Sequence, residues 1–226
     1  MRVEDFNKIF VISLVTSQDR RSSIKKQLNQ LGLDFEFFDA FNGKALSDSQ
    51  LNKYNPKASI MASGREMTPA EIGCALSHIT IYEKIINEGI ERAVIFEDDS
   101  IINKDFLKIL KNWEKIPADW ELVLFCHGED KMKLLETLGK PTIYKNYRCV
   151  SFKGAVGITS AYAINRLGAK KLLDYAYPIR FTADGLTGRF MDTGVRLYGI
   201  LPHCCYQSND FRSIIDPSRH APGSFS

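Results

Sequence analysis

Residues 9–38 limit the fold more than any other stretch of this chain. Ile9-Phe10-Val11-Ile12-Ser13-Leu14 is short, apolar and β-branched, which marks a buried strand. Polar residues follow from Thr16 to Arg21. Ser22 to Leu31 then places Ile24, Leu28 and Leu31 at helical spacing before Gly32 stops the run. A second strand, Asp34 to Phe38, ends in Asp39-Ala40-Phe41-Asn42-Gly43. Strand, helix and strand at this spacing form a βαβ unit, and such units build parallel sheets covered by helices.

Residues 43–66 are polar and contain Asn55-Pro56 and Ser63-Gly64, the marks of a long loop or a lid with short helices. A well-punctuated helix follows. Thr68 stands at its N-cap, Pro69 at the first helical position and Glu71 three residues after the cap. The helix runs through Ile72, Leu76, Ile79 and Ile85-Ile86 to Gly89. Ala93 to Phe96 is a third strand that runs straight into Glu97-Asp98-Asp99, and Trp120 to Phe125 is a fourth. Residues 126–153 read as irregular and rich in Lys and Gly. Ala161 to Ile164 is another short strand, after which Asn165 caps a helix from Leu167 to Tyr175. This order predicts an open α/β sheet. The length of 226 residues suits one domain, 1–226.

Composition narrows the partners. A hydrophobic share of 44% and a charged share of 25% are ordinary for a soluble globular protein. The formal charge of +3 is too weak to indicate nucleic acid, but it suits anionic small molecules or a transient visit to an acidic membrane surface. The five cysteines, Cys74, Cys126, Cys149, Cys204 and Cys205, are odd in number, with no C-x-x-C pair, which argues against a disulfide framework or a structural zinc site. A reducing, cytoplasmic location is the simpler reading. The first residues carry charge where a signal peptide needs an apolar run, and no stretch approaches a membrane span, so contact with the membrane is expected to be peripheral, at its inner face.

The three consecutive carboxylates at the end of an apolar strand are the most informative chemical feature. Ligands of open α/β sheets sit at the carboxyl ends of the strands. Adjacent carboxylates repel, and a divalent cation relieves that repulsion. Mn²⁺ or Mg²⁺ prefers oxygen ligands and binds one or two carboxylates plus phosphate oxygens. Strand alternation would put Glu97 and Asp99 on one side and Asp98 on the other. Asp99 leads the metal assignment, with Glu97 and Asp98 in support. The bland alternative is a solvated acidic turn.

Arg65-x-Met67-Thr68-x-x-Glu71-Ile72-Gly73-Cys74-x-x-Ser77-His78, together with Ile95-Phe96-Glu97-Asp98-Asp99, resembles glycosyltransferase family 25. Val11-Ile12-Ser13-Leu14 with Arg20-Arg21, Phe38-Asp39-Ala40 with Asn42-Gly43, and Tyr162-x-Ile164-Asn165-x-x-Gly168-Ala169-x-Lys171-Leu172-Leu173 agree with it. The resemblance extends from about Ile9 to Ile215. Met67 stands where the family often has leucine and Asn165 where it often has serine. The family includes bacterial lipooligosaccharide β-1,4-galactosyltransferases and the domain that galactosylates collagen hydroxylysine. It implies a GT-A-like open mixed sheet, mostly parallel and flanked by helices, with a UDP-sugar donor, a divalent metal and inversion at the anomeric carbon. The donor half is expected at about 1–100 and the acceptor side at about 101–226.

Inverting transfer needs a base for the acceptor hydroxyl. Asp184 is the candidate and Asp192 a weaker rival; an aspartate before Gly185-Leu186 is also a fitting helix N-cap. The resemblance carries Ser77 and His78 toward the donor or its pyrophosphate, while a buried, hydrogen-bonded helix histidine is the alternative for His78. Asp98 is counted with the donor contacts. Arg20 and Arg21 follow the first strand, where a guanidinium fork holds phosphate. Asp39 is placed to meet ribose or base. His203, by analogy with GT-A enzymes that close the metal shell with a late histidine, is a third metal ligand beside Asp99 and Glu97. Cys74 and His78 lie at i and i+4 on one helix face, but two ligand types fall short of a zinc site. Glu71 is accounted for by the capping box. Tyr144, Tyr147 and Phe152, in the irregular stretch, either stack on sugar faces or anchor the loop.

The expected activity is transfer of a hexose, galactose from UDP-galactose, to a sugar hydroxyl of a lipooligosaccharide or other surface glycan precursor. The partners are thus a UDP-sugar donor and a glycolipid or oligosaccharide acceptor, with no nucleic acid. A metal-dependent phosphohydrolase or nucleotidyltransferase would use the same triplet, but the chain has no Walker-type glycine loop. A non-catalytic nucleotide-sugar-binding protein is the third reading.

Overall fold

A computed structural model describes residue 6, residues 8–128, the backbone of 134–135 and residues 142–208. Residues 129–133, 136–141 and 209–215, which the irregular stretch and the family resemblance include, lie outside the described residues. The strands are β1 (Lys8–Ser13), β2 (Glu36–Asp39), β3 (Arg92–Glu97), β4 (Ser100–Ile102), β5 (Leu122–Leu124), β6 (Leu134–Leu135), β7 (Thr142–Tyr144), β8 (Tyr147–Phe152), β9 (Ala161–Asn165), β10 (Leu197–Leu201) and β11 (Cys205–Gln207). The helices are α1 (Gln18–Gln30), α2 (Asp48–Leu51), α3 (Pro56–Ser63), α4 (Pro69–Asn87), α5 (Phe106–Lys111), α6 (Arg166–Ala176), α7 (Ala183–Thr187) and α8 (Phe190–Thr193).

The main sheet has nine strands in the order β2-β1-β3-β9-β5-β10-β8-β6, with β7 also paired to β8. It is the open mixed α/β sheet expected. β2, β1, β3, β5 and β10 run one way, β6 and β7 share that direction, and β9 and β8 oppose it. The strands are therefore mostly codirectional, although β9 between β3 and β5 makes its two neighbours antiparallel partners.

Both faces of the sheet are covered, which is why its strands read as unbroken apolar runs. Along β1, Phe10 and Ile12 pack into one core with Leu76, Ile79 and Tyr82 of α4 and Leu172 of α6. Ile9 and Val11 pack into the other, with Ile24 and Leu28 of α1 and Phe106 and Leu110 of α5. No helix among the described residues is long and apolar enough to cross a membrane.

α4 begins as its sequence punctuation predicts. Thr68 Oγ1 accepts from the Glu71 amide, Glu71 Oε2 accepts from the Thr68 amide, and Pro69 opens the helix. Beyond its end Gly89 sits at φ +65°, the left-handed conformation that stops helices. Of the two readings of residues 43–66, short helices are what form, with Asn55-Pro56 and Ser63-Gly64 the start and stop of α3. Two differences from the sequence reading matter. α1 starts at Gln18 rather than Ser22, so Arg20 and Arg21 belong to its first turns. The stretch read as irregular contains the β7–β8 hairpin, in which Tyr147 and Phe152 are buried. These two rings anchor the hairpin in the core and are not exposed for stacking on a sugar; Tyr144 is half-buried.

Candidate functional site

The codirectional strands β1, β2, β3, β5 and β10 end at one edge of the sheet, and two cavities open there. The first, about 190 Å³, is lined by Ser13, Arg20, Phe41, Lys44, Ser77 and Asp98, among others. The second, about 280 Å³, is lined by Arg65, Glu71, Thr159, Ser160, Thr182 and Asp184. Cys74, Glu97 and Gln207 line both, so they form the wall where the two spaces meet.

Glycine makes the first cavity's shape. A Cβ on Gly73 would lie 2.5 Å from the Phe41 carbonyl oxygen, and one on Gly43 would lie 2.0 Å from that of Pro69. The 41–43 turn therefore lies against the first turns of α4. Ser77 fixes the same contact, donating to the Gly73 carbonyl at 2.7 Å and accepting from the Phe41 amide at 3.0 Å.

The acidic triplet divides at the end of β3. Strand alternation stops at Glu97, because Asp98 and Asp99 form the turn into β4. Asp98 accepts from Ser13 Oγ at 2.6 Å and from Arg20 Nη1 at 2.9 Å, and it is buried. Arg20 also lies 3.7 Å from Asp99, so these two carboxylates share one guanidinium. Asp99 accepts from Gln207 Nε2 at 3.1 Å through Oδ2, while its buried Oδ1 has no hydrogen-bond partner among the described residues. Burial, and then the charge of Glu97, push the Asp99 carboxyl up to about 6 against the opposing pull of Gln207 and Arg20.

Glu97 turns to α4. Its Oε1 lies 3.2 Å from His78 Nε2 and 3.9 Å from Cys74 Sγ. His78 is buried, with Nδ1 2.7 Å from the Tyr162 hydroxyl, which is 2.9 Å from that of Tyr82. Burial, followed by the charges of Glu97, Asp184 and Asp99, pushes the Cys74 thiol well above its usual range. Among the described residues, Cys74, His78 and Glu97 are the group whose metal-ligating atoms all lie within 4.8 Å of one another.

Asp184 lines the second cavity from the second position of α7. The N-cap is Thr182, whose Oγ1 accepts from the Gly185 amide, so the cap alternative belongs to Thr182. Asp184 Oδ1 is held by the Thr182 hydroxyl at 2.6 Å and the Gly185 amide at 3.0 Å. Arg65 and Glu71 form a two-bonded pair at 2.9 and 2.6 Å, and this contact foremost holds the Glu71 carboxyl below its ordinary value.

The structure thus brings Glu97, Asp98, Asp99, Arg20 and Ser77 to the first cavity and Asp184 to the second, with His78 behind Glu97. Three candidate residues make other contacts. Asp39 is exposed and paired with Arg21, whose guanidinium also lies over the Phe37 ring. Buried His203 pairs with His127, Nε2 to Nδ1 at 3.4 Å, their rings nearly perpendicular. Asp192 is paired with Arg189 on α8. Sequence reasoning missed Gln207. It reaches Asp99 because β11 pairs with β4, Gln207 opposite Ser100, a contact no local pattern announces.

A family description, glycosyltransferase family 25 (LPS biosynthesis protein), matches residues 6–187. Procollagen galactosyltransferase 2 of Mus musculus is 30% identical over 177 residues, 74% of this chain and 27% of that protein. Inactive glycosyltransferase 25 family member 3 of Homo sapiens is 28% identical over 176 residues, 74% of this chain and 29% of that protein. The chain therefore spans under a third of the length of these relatives. Among solved structures, that of A197 from STIV has a TM-score of 0.41 and 14% identity, covering 97% of this chain and 92% of that one.

Proposed function

The chain belongs to glycosyltransferase family 25, and from that premise we propose that it transfers a hexose from a nucleotide donor, with inversion, in the two cavities that meet at Glu97. The donor is UDP-galactose and the acceptor a sugar hydroxyl of a lipooligosaccharide or related glycan precursor, met from the inner face of the membrane. The observation that carries this reading is the buried Oδ1 of Asp99, which has no hydrogen-bond partner among the described residues and lies beside the junction of the two spaces. A buried anionic oxygen without a donor is what a divalent cation satisfies.

On this reading the first cavity takes the nucleotide. Arg20 and Lys44 supply positive charge toward the diphosphate, and Ser77 keeps the wall in shape. Asp98 holds Arg20 in place rather than meeting the donor itself. Asp99, supported by Glu97, would hold Mn²⁺ or Mg²⁺, an oxygen donor set that suits either ion; when bound, such an ion neutralises charge growing on the leaving diphosphate. His203 keeps its Nε2 on His127 at 3.4 Å, so it would join that shell through Nδ1.

The acceptor occupies the second cavity. Thr182 and Gly185 hold Asp184 Oδ1, which leaves Oδ2 to take the proton from the attacking hydroxyl. A second reading, donor binding without transfer, is favoured by one observation: a relative in this family carries the name inactive. The two separate in one assay, UDP release from UDP-galactose with a galactose- or glucose-terminated oligosaccharide and Mn²⁺ present. Acceptor-dependent release that needs the metal supports transfer. Donor binding with no release under any acceptor supports the second reading.

A further inference from the structure

We propose that Cys74, His78 and Glu97 form a second metal site, suited to a soft divalent cation such as Zn²⁺, which shares Glu97 with the oxygen donors around Asp99 but adds a sulfur and an imidazole nitrogen that the Asp99 site lacks. The three donor atoms come from two rigid elements. Cys74 and His78 stand one turn apart on the same face of α4, and Glu97 ends β3 opposite them. Their separations, 3.2 Å for Nε2 to Oε1 and 3.9 Å for Sγ to Oε1, lie close to the about 3.3–3.8 Å between ligands of a tetrahedral zinc with bonds of about 2.0–2.3 Å.

The surroundings of His78 point the same way. A metal-bound imidazole commonly uses its second nitrogen to hold an oxygen, which fixes ring and tautomer. Here Nδ1 meets the Tyr162 hydroxyl at 2.7 Å, and that hydroxyl meets Tyr82 at 2.9 Å, where either oxygen can be the donor. The hydroxyl chain can therefore run in both directions. Without metal, Tyr162 donates to Nδ1 and Nε2–H donates to Glu97. With metal, Nδ1–H donates to Tyr162, Tyr162 donates to Tyr82, and the Nε2 lone pair is free to bind the ion. The imidazole keeps one proton throughout, and the thiol releases one to solvent as its sulfur binds. Thiolate and carboxylate together then balance the charge of the ion.

Thiolate and imidazole select zinc-like ions, whereas carboxylate and phosphate oxygens suit Mn²⁺ and Mg²⁺. Cys74 and Glu97 line both cavities, so a fourth position faces open space, as in zinc sites that bind water or substrate. The other four cysteines are buried. This site does not depend on the chain being a transferase.

The test is a titration of the full-length, metal-stripped protein with Zn²⁺ by calorimetry and with Co²⁺ by absorption, with no nucleotide present. One ion per chain should bind through sulfur, marked by a thiolate-to-cobalt charge-transfer band, whatever the carboxylates of Asp99 take up besides. Cys74→Ser should remove the band and lower Zn²⁺ affinity by more than the about 10–100-fold that losing an outer partner costs; Tyr162→Phe should lower it by about that amount. Cooperative thermal melts show that each variant is folded, and if Cys74→Ser is not, Tyr162→Phe decides. A cobalt spectrum without sulfur character, Zn²⁺ affinity unchanged in either folded variant, or no binding by the wild type would overturn the proposal. Failure here leaves the transferase reading standing, because Mn²⁺-dependent UDP release rests on the carboxylates of Asp99 and Glu97 and not on the Cys74 sulfur.

Discussion

Asp99 concentrates the electrostatic tension of the site in one carboxyl group. Its folded-state value, about 6, stands above the ordinary 3.8, so its contribution to stability is fully present below that lower value and is lost as pH climbs through about 6. Near neutrality the metal-free protein carries the cost of a buried anion with one bare oxygen. Asp99→Asn should therefore raise the melting temperature of metal-free protein at pH 7.5, at about 2–4 °C per kcal/mol relieved, and should lose that advantage below pH 4. The same variant should abolish the rise that Mn²⁺ gives the wild type; differential scanning fluorimetry at the two pH values reads both effects. Asp184 makes a different prediction. Asp184→Asn should lower kcat by about 10²–10⁴-fold while UDP-galactose affinity, measured calorimetrically, stays within a few-fold of wild type. An unchanged kcat would move the base elsewhere.

At the scale of elements, the contact of α4 with the 41–43 turn shapes the first cavity, where we place the donor. Gly73→Ala would press a methyl group into backbone atoms of Phe41 and Gly43, neither of which is a flexible side-chain end. It should destabilise the fold by about 1–3 kcal/mol, seen in thermal melts, and raise the KM for the donor more than it lowers kcat. α4 is also the element most legible in the sequence, because cap, proline, capping glutamate and closing glycine all agree. β1, β2 and β3 were legible for a related reason: apolar runs bounded by polar turns. β10 was not. Gly199 interrupts it, and that glycine is required because a Cβ there would lie 2.6 Å from Phe152 and 2.8 Å from His127, a tertiary fact. β8 was masked by Arg148 and Ser151 between its buried positions. The early start of α1 was hidden because its first turn, Gln18 to Arg21, holds no apolar residue to begin the helical period.

For the molecule as a whole, the site is the product of strand direction. Three codirectional strands, β1, β2 and β3, deliver Ser13, Asp39 and Glu97 to one edge, and the β4–β11 ribbon brings Gln207 back to it. The triplet stands out in the sequence, since three carboxylates in a row are a local fact. Its division does not, because Arg20 takes Asp98, Gln207 takes one oxygen of Asp99 and α4 takes Glu97, all from distant segments. The partners of Asp39 and His203 were hidden for the same reason: Arg21 and His127 reach them from other segments. The most direct measurement is a crystal structure of the protein with UDP and Mn²⁺. The account predicts the diphosphate in the cavity lined by Arg20 and Lys44, with Mn²⁺ bound by Asp99. UDP bound elsewhere, or Mn²⁺ bound away from Asp99, would contradict it.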